Sequence, residues 1–169
     1  MKHLLAFCLG LMLLVPAGAH AADPSLVGEL DPGLIDAIGN RALDNIHLGQ
    51  CAPERNCQPA TSAEKRRGVI TGNMTADAIR RGAGSAWADH CGFEWGERSF
   101  LPLMEREQNS GCWNPRQLAL ISVTHGLAMA LFRDELKSKG HICDPATQER
   151  VEAYLLKIGG MTRRNDCRE

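Results

Sequence analysis

The clearest pattern in the chain follows Asn114-Pro115. Leu118, Ile121, His125, Ala128, Phe132 and Leu136 recur at a helical period, and Leu120, Val123, Leu127 and Leu131 fill a second face. A helix apolar on so much of its surface belongs in the centre of a fold, and Gly140 marks its end. Four further segments read as helical. Asp31-Pro32, a cap followed by proline at the first helical position, opens a run through Leu34, Ile35, Ile38, Ala42, Leu43 and Ile46. Thr75 opens another, with Ala76, Ile79, Ala83, Trp87 and Cys91 on one face as far as Gly92. The stretch from Phe93 to Gln108 is amphipathic, carries Pro102 and offers Ser99 as a cap. Asp144-Pro145 opens a last helix through Val151, Tyr154, Leu155 and Ile158 to Gly159-Gly160. A shorter helix, capped by Thr61 or Ser62, runs weakly towards Ile70, and residues 49–60 read as a loop. No strand pattern competes, so the expected fold is all-α, a single bundle of about five helices stapled by disulfides.

The first 21 residues read differently. A charged start (Met1-Lys2-His3) precedes the apolar run Leu4–Val15 and an Ala19-His20-Ala21 cleavage site, the layout of an export signal. That run is shorter than the roughly 18 residues a membrane span needs. The expected mature chain is one domain, residues 22–169, without a membrane anchor, periplasmic or secreted. Cleavage removes Cys8 and leaves six cysteines: Cys51, Cys57, Cys91, Cys112, Cys143 and Cys167. An even count in an oxidising compartment reads as disulfides, and the spread-out spacing, with no C-x-x-C, argues against a metal site. If successive helices run antiparallel, Cys91 and Cys143 fall at one end of the bundle and Cys112 and Cys167 at the other. A Cys91–Cys112 bridge would have to span an intervening helix of roughly 24 Å. The expected bridges are therefore Cys51–Cys57, Cys91–Cys143 and Cys112–Cys167.

Composition excludes two classes. With 19 basic and 20 acidic residues the chain lacks the cationic surplus of a generic nucleic-acid binder, and 44% hydrophobic content is too high for a disordered one. Candidate chemistry is sparse. There is no nucleophile elbow, no H-E-x-x-H and no phosphate loop after a strand. Glu94 and Glu97 lie three apart on one helix and could not straddle a sugar as glycosidase acids must. Arg66-Arg67, Arg80-Arg81 and Arg163-Arg164 read as surface pairs offset by neighbouring acids. His90 and His141 flank Cys91 and Cys143, and would approach each other if those two are bridged. His125 with Met129 one turn later could ligate haem or copper, although a core histidine with a hydrogen-bond partner is the simpler expectation.

The aromatic residues are concentrated. Trp87, Phe93, Trp95, Phe100 and Trp113 fall between residues 87 and 113, leaving only Phe132 and Tyr154 elsewhere beyond the signal. Such a cluster marks either the core's centre or a binding surface. Trp87 reads as the more buried. Trp95, between Glu94 and Gly96 and followed by Glu97 and Arg98, reads as an exposed anchor, giving Phe93, Glu94, Trp95, Glu97 and Arg98 as the candidate binding residues.

The run Cys91-Gly92-Phe93-Glu94-Trp95-Gly96, with Cys112 and then Pro115-Arg116-Gln117-Leu118 downstream, partly resembles the Rap/Tai type of periplasmic immunity protein. Those are small exported helical proteins that neutralise type VI secretion effectors. The likeness spans residues 91–118; the Cys51/Cys57 loop, the long central helix and the position of Cys143 depart from the family pattern. The expected function is non-enzymatic binding of another protein, as an immunity-type inhibitor of a secreted effector, with no cofactor. Alternatives are a periplasmic stress or assembly chaperone, and a haem or metal carrier using His125 and Met129.

Overall fold

Thr71 accepts the Met74 amide at its hydroxyl and starts a helix three residues before the sequence pattern does. In the computed structural model, which describes residues 26–159, that helix (α3, Gly72–His90) is buried on nearly every side. The reason lies in its side chains. Ala78, Gly82, Ala83, Gly84, Ser85, Ala86 and Ala88 leave room for neighbours all round. A Cβ on Gly82 would stand 2.5 Å from the His125 carbonyl and 2.8 Å from the Ala128 Cβ. The long helix α5 (Pro115–Ser138) thus meets α3 closer than any side chain at residue 82 permits. Gly84 similarly accommodates the Tyr154 ring, whose hydroxyl donates to the Arg80 carbonyl.

The remaining helices pack around this pair. α1 (Pro32–Asp44), capped by Asp31, lays Ile38 and Leu43 into the core. α2 (Ser62–Arg67) has a capping box in which Thr61 accepts the Glu64 amide and Glu64 accepts the Thr61 amide. α4 (Leu101–Ser110) and α6 (Pro145–Gly159) cover the other side. Among the described residues there are six α-helices, so the all-α bundle expected from the sequence is the fold. No helix among them is long and apolar enough to cross a membrane.

The stretch 49–60 departs from expectation. Gln50–Ala52 (β1) pairs antiparallel with Arg55–Asn56 (β2), turning through Glu54 at φ 58°, and the Cys51–Cys57 disulfide closes the ribbon. Strands this short show no alternating pattern. Gly49 presses the ribbon onto α5, its missing Cβ lying 3.0 Å from that of Ala119. Cys91–Cys143 joins the end of α3 to the start of α6, with Cα atoms 5.3 Å apart, as the antiparallel argument requires. Cys112 is also disulfide-bonded; its expected partner Cys167, the signal segment and Arg163-Arg164 lie outside the described residues.

The glycines give a test of this packing. Gly→Ala in a helix interior ordinarily gains up to about 1 kcal/mol, and Gly126→Ala on the open side of α5 is expected to do so. Gly82→Ala is expected to reverse the sign and cost about 1–3 kcal/mol, because helices must separate. Urea denaturation of the two variants measures both.

Candidate functional site

Pro102 shapes the region that carries the candidate binding residues. It has no N–H to offer the Arg98 carbonyl, and its ring would crowd that oxygen. The preceding turn, Gly96–Phe100, is correspondingly widened to a π-helical one in which the Leu101 amide bonds the Gly96 carbonyl. Ser99 is therefore not a cap: it is fully buried and faces the core.

Ser99 meets a polar chain there. The Ser85 hydroxyl donates to Ser99 Oγ at 2.8 Å, and Ser99 Oγ lies 3.5 Å from the Arg81 carbonyl it can donate to. Ser85 Oγ also hydrogen-bonds His125 Nε2 across 3.0 Å. Trp95 stacks on the imidazole with ring centres 6.3 Å apart, and Phe100 lies against it at 4.9 Å. A nucleophilic serine would need an open approach and a histidine nitrogen free to take its proton. Here Ser85 is sealed within the core, and its contacts to Ser99 and His125 tie α3, the π turn and α5 together.

Burial, assisted by the Arg81 charge, pushes the His125 pKa down to about 4. The sign follows. Between its unfolded value near 6.5 and about 4, the unfolded chain takes up a proton that the folded one refuses. Stability is expected to be full above pH 6.5 and to fall by about 3 kcal/mol on acidification towards pH 4. Chemical denaturation across that range checks it, and the slope should flatten in His125→Gln, which keeps a donor for Ser85.

A second buried network lies along α3 and α4. Arg106 reaches Asp77 at 2.6 Å and Glu107 at 2.5 Å, Trp113 Nε1 donates to the other Glu107 oxygen at 2.6 Å, and Arg81 approaches Asp77 at 3.6 Å. Arg81 and Glu107 are each only 2% exposed. This corrects the surface reading of Arg80-Arg81: Arg80 is exposed, but Arg81 is core. One signal was present in the sequence, since Arg81 stands one turn from Ala78 and Ser85 on a helix of small residues.

Of the candidate binding residues, Glu94 and Glu97 are exposed. Trp95 is not the free-standing anchor expected, because its half-buried ring packs on His125 and among the apolar side chains of α3 and α6. Trp87 is half-buried as well. Arg98 is locked: its guanidinium lies over Phe93 at 5.4 Å and makes two bonds to Glu152 of α6, at 2.6 and 2.9 Å. That pairing holds the Glu152 carboxyl below its ordinary range and raises Arg98 above its own.

Leu101, which sequence reasoning passed over, is 55% exposed one turn beyond Arg98, and Leu156, 66% exposed, stands one turn beyond Glu152. Both segments run opposite to α3, as the Ser85–Ser99 bond and the Cys91–Cys143 bridge require, so the two leucines lie on the same side of the ion pair. Glu94, Glu97, Leu101 and Glu105 form one exposed edge.

The histidines do approach each other at the disulfide. His90 Nε2 donates to the His141 carbonyl at 2.8 Å, and the Trp87 ring contacts both imidazoles. Met129 packs with Ala86 and Leu136, while His125 is held by Ser85, the role of a core histidine. Among the described residues no group of three or more His, Cys, Asp or Glu side chains is placed to hold a metal ion. No protein-family model matches the chain, and no match was found among the curated proteins or the solved structures.

Proposed function

We propose that this chain is an exported, periplasmic helical protein that acts by binding another protein, as an immunity-type inhibitor of a secreted effector. The observation that carries the reading is the exposed edge Glu94, Glu97, Leu101 and Glu105, with Leu156 beside it. It is acidic at its flanks, apolar at its middle, and held in shape by the π turn, the Arg98–Glu152 pair and the buried serine–histidine chain. A surface fixed in this way loses little conformational entropy on association, which favours a specific partner. The partial likeness of residues 91–118 to periplasmic immunity proteins points the same way. Two exposed leucines around an ion pair offer less apolar area than a chaperone for unfolded clients would use.

The test is co-expression with an exported toxin encoded beside the protein's own gene. Restored growth and an isolable complex are expected, with binding weakened at least tenfold by Glu97→Lys combined with Leu101→Lys (about 1.4 kcal/mol or more). No complex with such a toxin, together with suppressed aggregation of an arbitrary unfolded client, would establish the chaperone reading instead.

A further inference from the structure

A second surface lies away from that edge. Between α1, the end of α2 and the start of α3 runs an open groove of about 310 Å³. Its lining is mainly polar and includes Lys65, Arg66 and Arg67, with Ile35, Leu43, Val69 and Ile70 as its apolar members. Lys65 is paired with Asp44 at 2.5 Å, whereas Arg66 and Arg67 are exposed and have no ion-pair partner among the described residues. Asp36, on the α1 side, is the groove's own acid.

The basic margin is held in place. Arg116 of α5 grips Glu64 through two bonds, at 2.5 and 3.0 Å, and donates to the Gln58 carbonyl at 2.8 Å and the Pro59 carbonyl at 3.3 Å. Gln117 of α5 donates to the Val69 carbonyl at 2.9 Å. Gly68, at φ 75° and ψ 172°, turns the chain between the arginines and the apolar pair Val69-Ile70 in a conformation that glycine alone adopts readily. Both sides of α2 are therefore tied to the long helix, and the cationic side chains project from a fixed wall.

We infer that this groove docks an acidic segment of a partner protein, its carboxylates on Arg66 and Arg67 and an apolar side chain against Val69 and Ile70. Charge complementarity selects the occupant: the two exposed arginines favour carboxylates, and the apolar side chains in the groove reward a side chain between them, which a bare anion lacks. This surface is separate from the acidic edge at Glu94–Glu105 and does not depend on it.

The probe is a blocked synthetic peptide with a central leucine flanked by glutamates, titrated into the full-length mature protein by calorimetry. Saturable binding is expected, weakened about tenfold by Arg66→Glu with Arg67→Glu and strengthened by Asp36→Asn. Thermal melting of the double variant confirms its fold, and Lys137→Glu with Lys139→Glu, exposed at the opposite end of α5 from the groove, is expected to leave binding unchanged. Three results would overturn the proposal: no saturable binding, equal binding by the charge-reversed variant, or equal binding by a peptide with glutamine for leucine. Displacement of the peptide by inorganic phosphate alone would also overturn it, reducing the groove to an anion site.

Discussion

Glu107→Ala is expected to cost about 3–5 kcal/mol of folding stability, the penalty for breaking a buried pair by removing one partner. Glu107 is 2% exposed, and its two oxygens serve different groups: Oε1 takes the Arg106 guanidinium and Oε2 the Trp113 indole N–H. Truncation removes both acceptors at once. It leaves a nearly buried guanidinium short of one carboxylate and a tryptophan N–H without its acceptor. Glu107→Gln separates the two losses. It keeps an acceptor for Trp113 but not the charge facing Arg106, so it should fall between wild type and the alanine variant. Urea unfolding gives all three values. A loss below about 1 kcal/mol in the alanine variant, the range of an exposed pair, would contradict the network.

Loss of the Cys91–Cys143 bridge ranks beside it. The bridge closes 52 residues, and the chain-entropy relation gives about 4 kcal/mol for a loop of that length. The Cys51–Cys57 bridge closes only 6 and is worth about 2 kcal/mol on the same basis. A domain stable by 5–15 kcal/mol in all would feel the first far more than the second. Replacing each pair by alanine and comparing unfolding curves tests the order. The larger effect has a structural counterpart, since Cys91–Cys143 fixes the end of α3 against α6, and the Arg98–Glu152 pair depends on that alignment.

How far the sequence could be read follows from what periodicity records. It records which positions are apolar, so α5 and α6 emerged with their proline starts, and α1 with its Asp31 cap. It does not record which polar residues find partners inside. Arg81 read as a surface residue and Ser99 as a cap, yet both are buried, Arg81 near Asp77 of its own helix and Ser99 against Ser85 of α3. The beginning of α3 was missed because the apolar pattern starts only at Thr75, whereas the Thr71 cap starts the helix at Gly72.

The candidate binding site was legible in part. Glu94 and Glu97 are exposed as candidate binding residues should be, whereas Trp95 packs on His125 and the apolar side chains around it. Leu101 passed unnoticed because one exposed leucine carries no periodic signal. The Cys91–Cys143 pairing could be argued from the antiparallel alternation of helices, which leaves Cys51 and Cys57, six residues apart in one loop, to pair with each other.

The proposal that the edge around Leu101 is the working surface is tested most directly by placing a photo-activatable cross-linker at residue 101 of the protein produced in its own cells. The control is the same group at Leu48, which is 63% exposed on the turn after α1. One discrete cross-linked partner from residue 101, absent from residue 48, is the result expected. No product from residue 101, or the same products from both positions, would contradict the account.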